Sequence, residues 1–480
     1  MTATLDGRKV GHLHYQRSNE TDRVVTRSTL QIRFARTHTN PPLEIRNVIH
    51  EVESSNGEPQ VFSATTHMST ETSSAKGSRT GPNEFRVRTE VGDRSREYLL
   101  TWPQGAMLND GMRQAIVRHG FAPDTRYSLL RFDASSQSVS RVTIRVIGPE
   151  SVELPEGNRQ LVHLRETRSG LRSNDVTDVW VDTQGDVLKI AMPLLGFHLE
   201  LLACSETCAM QPNQDVNILD HAMVMLNRPL PKVLREAPLR FTFRVHPARD
   251  SPFISTDMQI VQRLGHNIWI VDTVMPRKGR EAPPTAADIA PNDWLQSDAP
   301  AIQALARKAA GKATGNRERM KLLTQFVRSY IKPEGASVGY ASALETLHDR
   351  SGDCTEYAVL LAAMARAQKI PTRVVTGLVY ADRYNGQDYV LIPHTWVQAW
   401  VDGIWRGYDA ALPQYDHTHI AMDVGDGDPW KYFSGISALG SIDLLQVKPG
   451  INIGEGRPQS SLLQMGTNPS GGSQGGGGGP

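Results

Sequence analysis

A chain of 480 residues with 39% apolar and 21% charged positions has the length and composition of a globular protein of several domains. Its 52 Lys and Arg nearly cancel 51 Asp and Glu, so no global field favours nucleic acid or an anionic membrane. No apolar run reaches the ~18 residues of a spanning helix, and three cysteines set out no disulfide framework.

Residues 1–226 predict an all-β region. Strand-like runs at 10–15, 29–34, 43–52, 60–66, 84–91 and 98–102 are separated by turn residues. The pattern resumes at 127–132, 140–147, 159–164, 176–181, 187–190 and 197–202. Val142-Thr143-Ile144-Arg145-Val146 alternates as a half-exposed strand does. Residues 109–120 are the single helical insertion. Such a run of strands suits a curved sheet, a sandwich or an open barrel. His12 and His14 share one strand face and are read as a solvent-exposed pair. Cys204 and Cys208 share a face if helical and pair in an exported protein; two ligands alone argue against zinc. The first residues lack a charged segment followed by an apolar one, so no signal peptide is read.

Residues 227–291 predict a short β segment, with runs at 239–245 and 267–271, then a Pro-rich connection. A compact α+β core follows over 292–447. Its helices at 300–310 and 316–331 include a stripe of Met320, Leu323, Phe326, Val327 and Tyr330. Residues 448–480, rich in Gly, Ser, Gln and Pro, are expected to form no packed structure.

The chemistry-bearing residues lie in that core. Cys354 precedes a run from Thr355 to Gln368 without Gly or Pro, stopped by Ile370-Pro371, which predicts a largely buried helix. Gly352 and Asp353 are turn and cap residues, so Cys354 falls on the first helical turn. There the helix dipole and unpaired N–H groups are expected to lower its pKa towards a reactive thiolate. Residues 389–401 and 404–409 predict strands joined by an Asp402-Gly403 hairpin. With the midpoint between 402 and 403, His394 faces position 411 and Asp409 is its diagonal neighbour on the same face. Asp416-His417-Thr418-His419 is read as a solvent-exposed histidine pair. The aspartates from 416 to 428 lack the closing acidic residue of an EF-hand calcium loop. No metal and no cofactor are expected.

Gly352-Asp353-Cys354, Ile370-Pro371-x-Arg373, His394-x-Trp396 and Trp405-x-x-Tyr408-Asp409, preceded by Ala343-Leu344-Glu345-Thr346-Leu347, resemble the transglutaminase-like superfamily of papain-like cysteine enzymes. The resemblance runs from about residue 300 to 409. It implies Cys354 as nucleophile, His394 as general base and then acid, and Asp409 as the group orienting the imidazole. Asp353, Trp396 and Tyr408 would support the cleft. The Cys354 N–H would be one oxyanion donor, with a second from a side chain between Tyr340 and Glu345. The implied reaction is cleavage of an amide through a thioester, as peptidase or amidase. The alternatives are acyl transfer to an amine acceptor, or a non-catalytic scaffold of the same fold. The expected partner is a protein or peptide substrate. A looser likeness of the β region to bacterial envelope proteins implies an exported, periplasmic chain, or a cytoplasmic one if Met1 is native. The chain departs from the family at Ala410-Ala411, where Pro often follows the aspartate, and at Gln398, where an acid is frequent.

Overall fold

The computed structural model describes residues 1–35, 42–68, 71–169, 174–194, 196–246, 251–333, 340–429 and 438–450. The stretch 451–480, read from sequence as a tail, lies outside them.

The N-terminal region is built from one repeated rule. Along Glu84–Val91 exposed and buried residues alternate strictly, with Phe85, Val87, Thr89 and Val91 inward. Tight turns such as Asp6-Gly7, both at positive φ, return the chain antiparallel. Among the described residues fifteen strands join in one sheet, antiparallel except where Ala106–Met107 pairs parallel with Arg126–Asp133. Its middle is the first strand, Thr2–Leu5, which pairs with Phe197–Leu202 so that Thr2 faces Leu202. The first half therefore runs outward to Arg94–Thr101, and the second half runs back to Ala106–Met107.

Those two outer edges are only a few residues apart in sequence, and the packing draws them together. Trp102 stacks near Phe85 and Phe132, with ring centroids 4.4 and 4.5 Å apart, and Phe62 fills the space between. The sheet thus curls so that its two ends share one aromatic cluster. Helix Asn109–His119 packs Met112, Ala115 and Ile116 on Val142, Ile144, Leu164 and Val179 of the second half. Its first N–H groups are met from the first half. Glu51 accepts from Asn109, and Glu53 accepts from Asp110 and Gly111 at 2.7 and 2.9 Å. Burial pushes these carboxyls up, to about 7 for Glu51 and about 8 for Glu53, where Glu51 adds to the effect.

The C-terminal region is α+β. Helix Cys354–Ala367 lies at its centre, and Thr355 through Arg366 are buried without a break. A helix apolar on every side must be enclosed. Helices Pro300–Ala310, Asn316–Tyr330 and Ala343–Asp349 surround it on one side, and strands Gln387–Val401 and Thr372–Tyr384 on the other. The five-stranded sheet carrying those strands also takes in Val224–Met225, Ile404–Tyr408 and Ile420–Gly425. A separate four-stranded sheet joins Gln259–Arg263, Ile268–Thr273 and Leu239–Val245 with Ile442–Pro449 from the far end of the core. One apolar cluster runs through both regions, from Leu5, Phe34 and Phe197 to Phe241, Leu361 and Val397. Among the described residues no helix is long and apolar enough to cross a membrane.

Candidate active site

The helix that carries Cys354 starts where it does because its cap is complete. Asp353 accepts the N–H of Thr355 at 3.0 Å, and Glu356 reaches back to accept the N–H of Asp353 at 2.9 Å. Gly352 makes this possible. Its φ is +155°, and a Cβ there would meet the Glu356 side chain at 2.5 Å.

His394 lies on Gln387–Val401. Asp402 and Gly403 both adopt positive φ, and the ladder pairs Val401 with Ile404, Trp400 with Trp405 and Val397 with Tyr408. Past Tyr408 the chain leaves the ladder, and Asp409 turns its Oδ2 to 2.8 Å from His394 Nε2. Asp409 Oδ1 accepts the N–H groups of Ala411 and Leu412 at 2.7 and 3.1 Å. The departure at Ala410 is therefore harmless, because no bond to the carboxylate comes from that position. The backbone N–H of Thr395 is near enough to the sulfur of Cys354 to favour its thiolate. The thiol thus sits against the strand one residue from His394, whose Nδ1 is the ring nitrogen that Asp409 leaves available.

The thiol does not have the depressed pKa expected of a helix N-terminus. Cys354 retains partial surface exposure, yet enough protein encloses its sulfur for desolvation to dominate. Burial, then the neighbouring Asp353, with Glu356 and Asp409 adding, push it well above its ordinary value against the Thr395 N–H. The helix end is already occupied by two carboxyls, which cancel the field the sulfur would otherwise feel. Cys354 rests as a neutral thiol. For Asp409, burial alone would raise the carboxyl. The charge and hydrogen bonds of His394 and His419 outweigh burial and hold it well below the carboxylate range.

His419 is the correction with most consequence. Instead of belonging to an exposed pair it is buried, with Nε2 3.0 Å from Asp409 Oδ2 and Nδ1 3.0 Å from the Asp416 carbonyl. Tyr415 stacks on it at 4.2 Å and the edge of Trp396 meets it at 5.2 Å. Burial opposes charging this ring, but the bonds to Asp409 and Asp416 prevail and raise it to about 9. His417 stays partly exposed. Asp416 is taken up by Thr418, which donates both its N–H and its hydroxyl.

Of the residues expected to support the cleft, Asp353 caps the helix and Tyr408 is half-buried. Trp396 is buried with Ile254, Val375 and Ala421. It lies over Gly377, the partner of His394, where a Cβ would meet its ring at 2.9 Å. The backbone from Ala341 to Glu345 leaves no N–H over to serve as a second oxyanion donor. The N–H groups of Ala341, Ser342, Ala343, Leu344 and Glu345 are all spent on Glu356, Glu345, Trp294, Gln296 and Ser342. Gln398 accepts from Arg373, and the acid missing there is Glu281, brought from the connecting segment to the same guanidinium. His12 and His14 join no group of three candidate metal ligands among the described residues. Cys204 and Cys208 are free thiols, Cys204 raised to about 11 by burial and a hydrogen bond to Cys208.

His394, Asp409 and His419 converge, with ligand-type atoms within 4.8 Å of one another. Two imidazoles and a carboxylate are a donor set that suits a divalent metal. Here the contacts have hydrogen-bond lengths, and one carboxylate oxygen serves both rings. Sequence reasoning missed His419, Glu356 and Glu281. Only Glu356 left a signal, as the N3 residue of a capping box in Asp353-x-x-Glu356.

Residues 303–410 match the transglutaminase-like superfamily. An uncharacterized protein of Mycobacterium leprae is 32% identical over 118 residues, an alignment covering 23% of this chain and 41% of that protein. The chain therefore spans less than half the length of that relative. Among solved structures, a candidate cysteine protease from Cytophaga hutchinsonii is 20% identical, with a TM-score of 0.30 over 44% of this chain and 84% of its own. A β-barrel-like protein of a domain of unknown function from Brucella abortus is 12% identical, with a TM-score of 0.35 over 42% and 93%.

Proposed function

We propose, starting from residues 303–410 as a transglutaminase-like domain, that the protein is a thiol enzyme cleaving amide bonds through an acyl-Cys354 thioester. The observation that carries this reading is the Asp409–His394 hydrogen bond, on the strand whose Thr395 N–H favours the Cys354 thiolate. Because the thiol rests protonated, His394 acts first as a general base. Its Nδ1 takes the sulfur's proton as Sγ bonds to the carbonyl carbon. The Cys354 N–H, first of the helix and outside its ladder, would hold the developing oxyanion. The C–N bond then breaks, and His394 returns the proton to the leaving amine. Water resolving the thioester gives a peptidase or amidase, the preferred reading; an amine resolving it gives acyl transfer. The catalytic unit would be residues 292–447, with 1–226 and 227–291 as flanking regions.

The test is turnover by the full chain on a library of peptides and carboxamides, with and without hydroxylamine as acceptor. Cys354→Ala should abolish all release of amine. Hydroxamate in place of acid would assign the transfer reaction. Turnover unaffected by Cys354→Ala would end the proposal, as would a binding partner retained by Cys354→Ala and His394→Ala alongside no turnover on any amide.

A further inference from the structure

The role of His419 is open, and the surroundings of its ring constrain it. Nε2 faces Asp409 Oδ2, which can only accept, so Nε2 carries a proton. Nδ1 faces the Asp416 carbonyl at 3.0 Å, also an acceptor, with the Asp416 carboxylate at 3.4 Å. The one donor near Nδ1, the Asp416 N–H, is farther away at 3.4 Å. The two acceptors, nearer or more strongly charged than that donor, favour a hydrogen on Nδ1 as well, and with the ring raised to about 9 the arrangement favours an imidazolium. The other titratable groups around it are His394, His417 and Tyr415. Burial and the Asp416 and Asp409 charges raise Tyr415, so it stays neutral.

We propose that His419 is a positioning residue, a fixed cation that clamps Asp409 beside His394 and offsets part of the carboxylate's charge. The proposal rests on the Cys354–His394 reading above. With four donors the carboxylate cannot rotate: two rings on Oδ2 and two backbone N–H groups on Oδ1. Its charge is divided between two rings whose centroids are 5.9 Å apart. Were Asp409 to face His394 alone, it would hold the catalytic imidazolium too firmly. His394 would then give its proton less readily to the leaving amine. The covalent steps are unchanged, and only the balance of the proton on His394 is set.

The test is the pH dependence of iodoacetamide alkylation at Cys354 in the full chain, read by peptide mapping in wild type, His419→Gln and His394→Gln. In His419→Gln the side-chain amide keeps a donor for Asp409 and loses the charge. A unit charge about 6 Å away is worth one pH unit or more at the effective dielectric of proteins. The His419→Gln inflection should thus move up by about one pH unit, with alkylation about tenfold slower below it. An unmoved inflection in folded His419→Gln, against a displaced one in His394→Gln, overturns the proposal alone. A profile untouched by His394→Gln sinks the underlying reading and this proposal with it. A second measurement needs no variant: nitrogen NMR of histidine-labelled wild type should show both His419 ring nitrogens protonated at pH 7.5. A neutral ring overturns the proposal, and so does tight binding of one Zn²⁺ that His419→Gln abolishes.

Discussion

Glu356 accepts the backbone N–H of Ala341 at 3.0 Å, tying the first turn of the Cys354 helix to the segment that leads into helix Ala343–Asp349. The same carboxyl accepts the Asp353 N–H, so one side chain holds both the cap and the neighbouring loop. Burial, then Asp353, push it well above its ordinary range. Glu356→Ala should leave two enclosed N–H groups bare, each costing about 1–3 kcal/mol. A denaturant titration should show that loss, with slower Cys354 alkylation in the protein that remains folded. A loss below about 0.5 kcal/mol would mean water replaces the carboxyl there.

Glu51 beneath helix Asn109–His119 predicts a pH effect of definite sign. In the folded chain it keeps its proton to about 7, against an ordinary value of 4.5. The folded state therefore binds more protons in between, and stability falls as pH rises. The contribution is whole below 4.5 and lost by about 7. Glu51 uses one oxygen for Asn109 and Thr26, a role an amide oxygen can fill. Glu51→Gln should therefore equal wild type at pH 5 and melt higher at pH 8. Each pH unit of displacement is worth about 1.4 kcal/mol. Equal melting at both pH values would show that the carboxyl ionises without penalty.

Arg373 lies 4.2 Å over the Trp405 ring and bonds both Gln398 and Glu281. Gln398→Glu places a second carboxylate against Glu281, and should destabilise by roughly 1 kcal/mol at pH 7. Adding Glu281→Gln should restore that loss, a coupling a double-mutant cycle measures directly. Simple additivity of the two changes would mean that the carboxyls do not meet at this guanidinium.

Asp353 is the second-largest influence holding up the Cys354 thiol, after burial. Asparagine caps helices as well as aspartate does. Asp353→Asn should keep the helix start and move Cys354 alkylation to lower pH. Unchanged alkylation, with the fold intact by circular dichroism, would assign the whole effect to burial.

Much of this was legible in the residues. A midpoint between Asp402 and Gly403 fixes the hairpin register, because a two-residue turn with both φ values positive leaves one pairing. The buried helix from Cys354 follows from fourteen residues without a breaker. The state of the thiol did not follow, since a helix dipole is visible in sequence and the carboxyls that cancel it must first be folded onto it. His419 was hidden for a similar reason. It is reached through a loop beyond Asp409, where no periodicity assigns a face. Alternating strands foretold a curved sheet, a sandwich or an open barrel, but not the contact of Trp102 with Phe85 and Phe132, which draws the two ends of the sheet together. Glu281 and the strand Ile442–Pro449 belong to contacts too distant in sequence for local pattern to show.

The most direct measurement is acid-quenched peptide mapping of the full chain during turnover of an activated amide or ester found in the library screen. The account predicts an acyl group on the sulfur of residue 354, absent from Cys204 and Cys208 and slow to form in His394→Ala. Product release with no acyl-enzyme at that sulfur, or an adduct that forms as fast without the imidazole, would contradict it.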